Sequence, residues 1–287
     1  MIFWIEKGVE ISYDQLLEDL NNDNPISELL GYIYFLRLLK ELSKDQVISS
    51  IEDLNNYLTE KKDVLSFDVL TSGTTSVSKS IEVKMSNCIR YVKTNKKIKS
   101  VWGMGYPYGS YASTQVFFQS LINRETIIYL FGIEFKSSDQ IFSNYKITNL
   151  SCTPTFLSML LMNLKKEYPL VLKITTGGEK IKESLIGSFK KTFTSAEYIN
   201  IYASTETGSL LYSKSEYFSI PEKNKSQIKI ENGTLMVHQS LLNKVQITNG
   251  GWYNTNDIVE FVNDSQFKFI SRSNGYLNTG GFRISPT

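Results

Sequence analysis

The sequence predicts an α/β fold, with layered, mostly parallel sheets flanked by helices and a small antiparallel β subdomain at the C-terminal end. Three observations carry this. Between residues 66 and 212, short apolar or β-branched runs alternate with helical periodicities. Beyond 213 the helical period is lost, and strand-like runs pair across Asn232-Gly233 and Asn263-Asp264-Ser265. A chain of 287 residues, 41% hydrophobic, suits one large domain or two closely packed parts.

The elements follow in order. Residues 2–5 read as a short strand ended by Glu6 and Lys7. A helix is expected over 13–20 with Ser12 as its N-cap, then a strongly apolar helix over 26–42 that buries Leu29, Leu30, Ile33, Leu36 and Leu39. Another helix is expected over 45–59, and a strand over 66–70. Residues 79–85 alternate polar and apolar, as a strand does. A helix over 87–97 capped by Ser86, a strand over 101–104, an aromatic loop over 106–111, a helix to 123 and a strand over 126–130 come next. A helix over 138–144, a strand over 149–152, a helix from Pro154 to 166, a strand over 171–175, a helix over 182–192 and a strand over 197–202 complete the alternation. Two hairpins follow, 227–230 with 234–237 and 258–261 with 267–270. The chain thus divides into an N-terminal segment, 1–65, an α/β region, 66–212, and a β-rich part, 213–287.

Composition narrows the function classes. A net charge of +2 gives neither a nucleic-acid footprint nor a membrane-surface patch. The apolar opening run is too short for a signal core or a membrane span, so a cytoplasmic protein is expected. Cys88 and Cys152 are the only cysteines, which gives neither a zinc motif nor a disulfide framework. His238 is the only histidine and falls on a strand past a hairpin turn, where a surface role is expected, so histidine-based catalysis has little to work with.

The segment Thr71-Ser72-Gly73-Thr74-Thr75-Ser76-Val77-Ser78-Lys79 offers backbone N–H groups, hydroxyls and one lysine to polyphosphate oxygens. A Ser/Thr-rich surface turn is the alternative. A Walker loop would need a glycine at Ser78 and a helix after Lys79, and the strand pattern that follows argues against it. Further along, Gly178, residues 202–206, Asp257 and Arg272 fall at strand ends, where open α/β sheets bind ligands.

In order, the Thr-Ser-Gly-Thr-Thr loop with Lys79, Gly177-Gly178-Glu179, Tyr202-Ala203-Ser204-Thr205-Glu206-Thr207-Gly208, Gly251-Trp252-Tyr253-Asn254-Thr255-Asn256-Asp257 and Ser271-Arg272 resemble the adenylate-forming superfamily. That superfamily comprises acyl- and aryl-CoA synthetases, luciferases and peptide-synthetase adenylation domains. The resemblance runs from about residue 66 to the C-terminus and implies the N-terminal body of such an enzyme. It implies that a carboxylic acid attacks the α-phosphate of ATP, giving an acyl adenylate and pyrophosphate, and that a thiol, of CoA or of an acyl carrier protein's phosphopantetheine, takes the acyl group.

Residue by residue, the resemblance implies that Thr71, Ser72, Gly73, Thr74, Thr75 and Lys79 hold the β- and γ-phosphates. Tyr202 and Ala203 border the adenine, Thr205 bonds the α-phosphate, and Glu206 ligates Mg²⁺. Asp257 accepts from the ribose hydroxyls with Arg272 assisting, and Gly178 and Glu179 complete the nucleotide site. Tyr108, Tyr111, Gly177 and Ser204 border the acid. Ser76, Ser78, Ala203, Ser271 and Asn274 depart from the family pattern, and the family's aromatic-loop histidine would fall near Gly109. A C-terminal lid with its lysine is expected to be absent, supplied by a separate chain or lost, which leaves a nucleotide-binding protein without full activity as the alternative reading. Tyr111 falls where peptide-synthetase domains carry an aspartate; an unpaired buried ammonium costs several kcal/mol, so a non-amino acid is expected. Tyr106, Phe117 and Phe118 either line that pocket or belong to the core.

Overall fold

The computed structural model describes residues 1–22, 28–71, 79–94, 99–243, 250–273, 277–279 and 282–284. The opening run forms β1 (Ile2–Glu6), which turns back antiparallel into β2 (Val9–Ser12), a strand the sequence pattern did not single out. Ser12 caps α1 (Tyr13–Asn21), its Oγ accepting from Gln15 N at 3.0 Å. α2 (Leu30–Leu42) begins later than its apolar run suggests, and residues 23–27 lie outside the described set. Its first turn is capped from a distance: the buried carboxylate of Glu6 accepts from Gly31 N at 3.2 Å and Tyr32 N at 3.1 Å. This sets the helix rotation, so Tyr32, Phe35, Leu36 and Leu39 are buried while Leu30 is exposed. α3 (Ile51–Glu60) starts at Ser50, whose Oγ accepts from Asp53 N, rather than at 45.

β3 (Ser66–Thr71) and β4 (Lys79–Lys84) form an antiparallel hairpin, in register from Ser66 opposite Lys84 to Thr71 opposite Lys79. A strand therefore follows Lys79 where a Walker lysine would open a helix. The expected helix over 87–97 is a single turn, α4 (Met85–Cys88). The chain then leaves helical geometry as the Arg90 guanidinium donates to Asn87 Oδ1 and to the Leu241 carbonyl.

The alternation then proceeds through β5 (Val101–Gly105), α5 (Tyr111–Asn123), β6 (Thr126–Tyr129), α6 (Ser138–Tyr145), β7 (Asn149–Cys152), α7 (Pro154–Leu161), β8 (Lys173–Gly177), α8 (Glu183–Thr192), β9 (Glu197–Ser204) and β10 (Gly208–Ser213). α7 ends before 166 because Lys165 N donates to Asp139 Oδ1, drawing the chain across to α6. β8 lies two residues later than the apolar run predicts, reaching Gly177.

These strands form one eight-stranded sheet, ordered β10-β9-β8-β7-β5-β6-β1-β2. The pairs from β9 through β1 are parallel, with an antiparallel strand at each edge. The N-terminal strand is thus part of the sheet. Alternate residues feed two cores: Trp102, Ile127 and Tyr129 pack with α1, α2, α3 and α5 on one face, and Ile128, Leu150 and Ile174 with α6, α7 and α8 on the other. Phe117 and Phe118 are fully buried in the first core.

A second, antiparallel sheet holds β11 (Ile228–Glu231), β12 (Thr234–His238), β13 (Trp252–Phe261) and β14 (Phe267–Arg272), in chain order, and both expected hairpins are present. β15 (Leu277–Thr279) pairs with β16 (Phe282–Ile284). Among the described residues no helix is long and apolar enough to cross a membrane.

Candidate functional site

Two of the predicted motifs are brought to one end of the sheet by strand geometry alone. β8 ends in Gly177, where a Cβ would approach the Ile201 carbonyl of β9 to 3.0 Å, so any larger residue would press β9 away by a few tenths of an ångström. β9 then runs out through Ala203 and Ser204 and reverses into β10 over three residues, Thr205, Glu206 and Thr207. Gly208 closes that turn with φ +68°, and Ser204 Oγ accepts from Thr207 N at 3.2 Å. Thr205 and Glu206 are left at the tip, beyond the carboxyl ends of the parallel strands.

A cavity of about 450 Å³ lies against this edge, a volume in the range of small-molecule sites. Gly177, Gly178, Ala203, Ser204, Thr205, Glu206, Tyr108, Tyr111 and Arg272 all line it. Asp257 borders a smaller polar recess that shares Ser204, Glu206 and Arg272 with the main cavity. Tyr106 also lines the main cavity, its hydroxyl donating to the Cys152 carbonyl. Tyr111 is the first residue of α5, and its buried hydroxyl donates to the Asn87 carbonyl at 3.3 Å; burial pushes the pKa of that phenol well up, so it stays a neutral donor.

Asp257 and Arg272 sit opposite each other on β13 and β14, with Nε 2.7 Å from Oδ1. Tyr202 reaches across from β9 and donates to Asp257 Oδ2 at 2.6 Å, while its ring stacks on Phe269 at 4.3 Å. Burial, then the neighbouring Asp257 charge and hydrogen bond, raise the Tyr202 pKa. Burial opposes the Arg272 charge, yet the attraction and hydrogen bond of Asp257 outweigh it and raise that pKa. The triad ties the two sheets together at the mouth of the cavity.

Glu179 is not among the lining residues; its Oε2 accepts from Thr155 N at 3.0 Å and Thr155 Oγ1 at 2.6 Å, at the start of α7. Ser72, Gly73, Thr74 and Thr75 lie outside the described residues, and for Thr71 and Lys79 only the strand register is described.

Several lining or supporting residues were not signalled by the motifs. Asn243, after β12, accepts from Asn87 Nδ2 at 2.8 Å and Lys84 N at 3.2 Å, donates through Nδ2 to the Thr205 carbonyl at 2.6 Å, and donates through its own N–H to the Glu206 carbonyl at 2.8 Å. It therefore fastens the Thr205–Glu206 turn to the end of β4. Deeper in the cavity, Ser151 and Thr175 share a 2.7 Å hydrogen bond, and Gln115, Gln119 and Lys173 line the wall. Lys173 carried one signal, as the lone charge inside the strand-like run 171–175. Glu206 is the sole carboxylate among the described residues of this lining.

Residues 8–239 match the family model described as AMP-binding enzyme. A plipastatin synthase of Bacillus subtilis (strain 168) is 27% identical over 181 residues, covering 59% of this chain and 7% of that protein. The 2-succinylbenzoate–CoA ligase of Staphylococcus aureus (strain MSSA476) is 26% identical over 171 residues, covering 51% of this chain and 34% of that protein. The alignment thus spans about a third of the ligase's length. Among solved structures, a double mutant of the Bacillus subtilis o-succinylbenzoate CoA synthetase bound with its product analogue OSB-NCoA superposes with a TM-score of 0.70 at 16% identity, over 99% of this chain and 78% of that one. A Vibrio cholerae adenylation domain in complex with glycyl-adenosine-5'-phosphate gives 0.65 at 18% identity, over 84% and 54%. The fold described above is the fold of these bodies.

Proposed function

Because this chain belongs to the AMP-binding enzyme family, we propose that it activates a non-amino acyl or aryl carboxylic acid with ATP, forming an acyl adenylate and pyrophosphate, and passes the acyl group to a thiol. The observation that carries the reading is the convergence of Gly177-Gly178, the Thr205–Glu206 turn and Arg272 on one cavity at the carboxyl ends of the parallel strands. The 2-succinylbenzoate–CoA ligase relative favours CoA over a carrier-protein phosphopantetheine as acceptor.

In this reading the acid lies between Gly177, Ser204, Tyr108 and Tyr111, with its carboxylate toward Thr205. A carboxylate oxygen attacks the α-phosphorus, and the bond to the bridging oxygen of the β-phosphate breaks as pyrophosphate leaves. The Thr205 hydroxyl donates to the α-phosphate, and Lys79 with residues 71–75 neutralises charge on the leaving group. Ala203 and Gly178 border the adenine, with Tyr202 held behind them by Asp257 and Phe269. Asp257 keeps lone pairs for ribose hydroxyls beside those used by Tyr202 and Arg272. Glu179 acts by holding α7 beside the site.

The residues fit a Mg²⁺ ion. Glu206 faces both the cavity and the recess, and Mg²⁺ takes one or two carboxylates and completes its shell with phosphate and water oxygens. When bound, the ion would offset phosphate charge. Residues 1–65 serve as part of the body, 66–212 as the nucleotide and acid site, and 213–287 as the platform carrying Asp257 and Arg272. The reaction is placed in the cytoplasm, with a lid domain as partner.

The test is carboxylate-dependent ATP–pyrophosphate exchange, measured on this chain alone and with a lid domain of a 2-succinylbenzoate–CoA ligase added. Exchange under either condition supports the reading, and Glu206→Gln should abolish its metal dependence. ATP binding without exchange under both conditions would leave only nucleotide binding and refute acid activation.

A further inference from the structure

The rim of the cavity is held from outside the motifs. Tyr106 and Tyr111 of the aromatic loop are buried, each fixed through its hydroxyl to a carbonyl, of Cys152 at 2.8 Å and of Asn87 at 3.3 Å. Tyr108, between them, lines the cavity yet is 41% exposed. Its N–H donates to the Tyr129 hydroxyl at 3.1 Å, which anchors its backbone. Its ring rests against two others, Tyr34 at 5.7 Å and Tyr129 at 6.4 Å between centroids.

Of these supports Tyr129 belongs to the core, stacked on Trp4 at 5.5 Å. Tyr34 comes from α2 and is half-buried, edge-on to the fully buried Phe35 at 5.2 Å. It also lies against the next residue of the loop: a Cβ at Gly109 would stand 3.3 Å from two atoms of the Tyr34 ring. Gly109 has φ +80°, so the loop turns there in a conformation open to glycine and sets its backbone on that ring. Burial, then the charge of Asp68, raise the Tyr34 pKa, so the phenol stays neutral within range of β3, the strand that ends at Thr71. One ring of the N-terminal segment therefore braces the cavity rim on one side and approaches the β3–β4 hairpin on the other.

Resting on the activity proposed above, we infer that Tyr34 is a positioning residue for acid binding: it holds the Tyr108 ring as the outer wall of the acid site without itself lining the cavity. A half-exposed ring has few contacts to fix its rotamer, and a wall ordered in advance lowers the cost of binding. Removing Tyr34 leaves Tyr108 supported by Tyr129 alone, so the acid must order it on arrival. Gly178, Thr205 and Arg272, which serve the nucleotide, lie elsewhere on the cavity wall and keep their places.

The experiment measures binding of 3-phenylpropanoate and, separately, of ATP by isothermal titration calorimetry, on the whole chain and on Tyr34→Ala, Tyr34→Phe, Tyr108→Ala and the double variant Tyr34→Ala with Tyr108→Ala. Tyr34→Ala should weaken the acid about 3- to 10-fold, the range of one aromatic pair, with ATP unchanged, and Tyr34→Phe should bind as the unmutated chain does. In the Tyr108→Ala background, Tyr34→Ala should cost nothing further, which a general loss of packing would not reproduce. Amide hydrogen exchange at Tyr108 should quicken in Tyr34→Ala and not in Tyr34→Phe. Unchanged acid binding in Tyr34→Ala, equal weakening of acid and ATP, a loss that persists in the Tyr108→Ala background, or no acid binding by the unmutated chain would each overturn the inference. ATP binding with an acid affinity indifferent to Tyr34 sinks only this role, and acid binding that depends on Tyr34 without ATP binding sinks the adenylate-forming reading.

Discussion

Replacing Asn243 by alanine should loosen the site from behind without touching its surface. Asn243 is 4% exposed and uses both ends of its amide, accepting from Asn87 Nδ2 and Lys84 N and donating to the Thr205 carbonyl. Truncation leaves two donors and one acceptor without partners. A buried unsatisfied group costs about 1–3 kcal/mol, and with the opened space admitting water the lower end applies, for a total of about 3 kcal/mol. Asn243→Asp isolates one part, because it keeps the acceptor for Lys84 and Asn87 but sets a carboxylate against the Thr205 carbonyl. Urea unfolding followed by tryptophan fluorescence should show both variants with a lower midpoint and an unchanged slope. Binding of a fluorescent ATP analogue, measured well below the new midpoint, should weaken as the Thr205–Glu206 turn loses its tie to β4. A change under about 1 kcal/mol for Asn243→Ala would overturn this account, since it would mean that these groups find other partners at no cost.

Other outcomes follow from single contacts. Gly208→Ala places a Cβ 2.7 Å from the Tyr111 hydroxyl at a backbone φ of +68°, so thermal denaturation should show a loss of about 2 kcal/mol together with weaker nucleotide binding. Cys88 and Cys152 are buried, which pushes both thiols up, so neither should react with a thiol-specific chromogen at pH 8 until the chain is unfolded; prompt reaction of either would contradict its placement. Asp139 is held below the usual carboxylate range by the Tyr168 hydroxyl and then by Lys165 N. Such a depressed carboxylate adds stability above its unfolded pKa and loses it as pH falls through the folded one. Tyr168→Phe should therefore bring the Asp139 pKa up toward the ordinary aspartate range in an NMR titration and flatten the acid limb of the stability profile; an unmoved Asp139 would refute the assignment.

Features that depend on neighbouring residues could be read from the chain alone. The Ser12 cap and strand β7 fell where the pattern put them, because capping hydroxyls and alternating burial are local properties. The strand after Lys79 was legible for the same reason, and with it the distinction from a Walker loop. The motif residues around Gly178, Thr205 and Arg272 were legible through their order along the chain. Other features came from contacts between distant segments. Helix α2 begins where Glu6, 25 residues earlier, meets its N–H groups, and no local pattern around Leu30 encodes that cap. The helix expected over 87–97 gave way to one turn because Arg90 is drawn to a carbonyl 151 residues away. Asn243 is an ordinary residue in sequence, and its role exists only because the fold brings the end of β4 beside the Thr205 turn. Chemistry-bearing residues announce themselves by type; what they face is fixed by contacts between segments far apart in the chain.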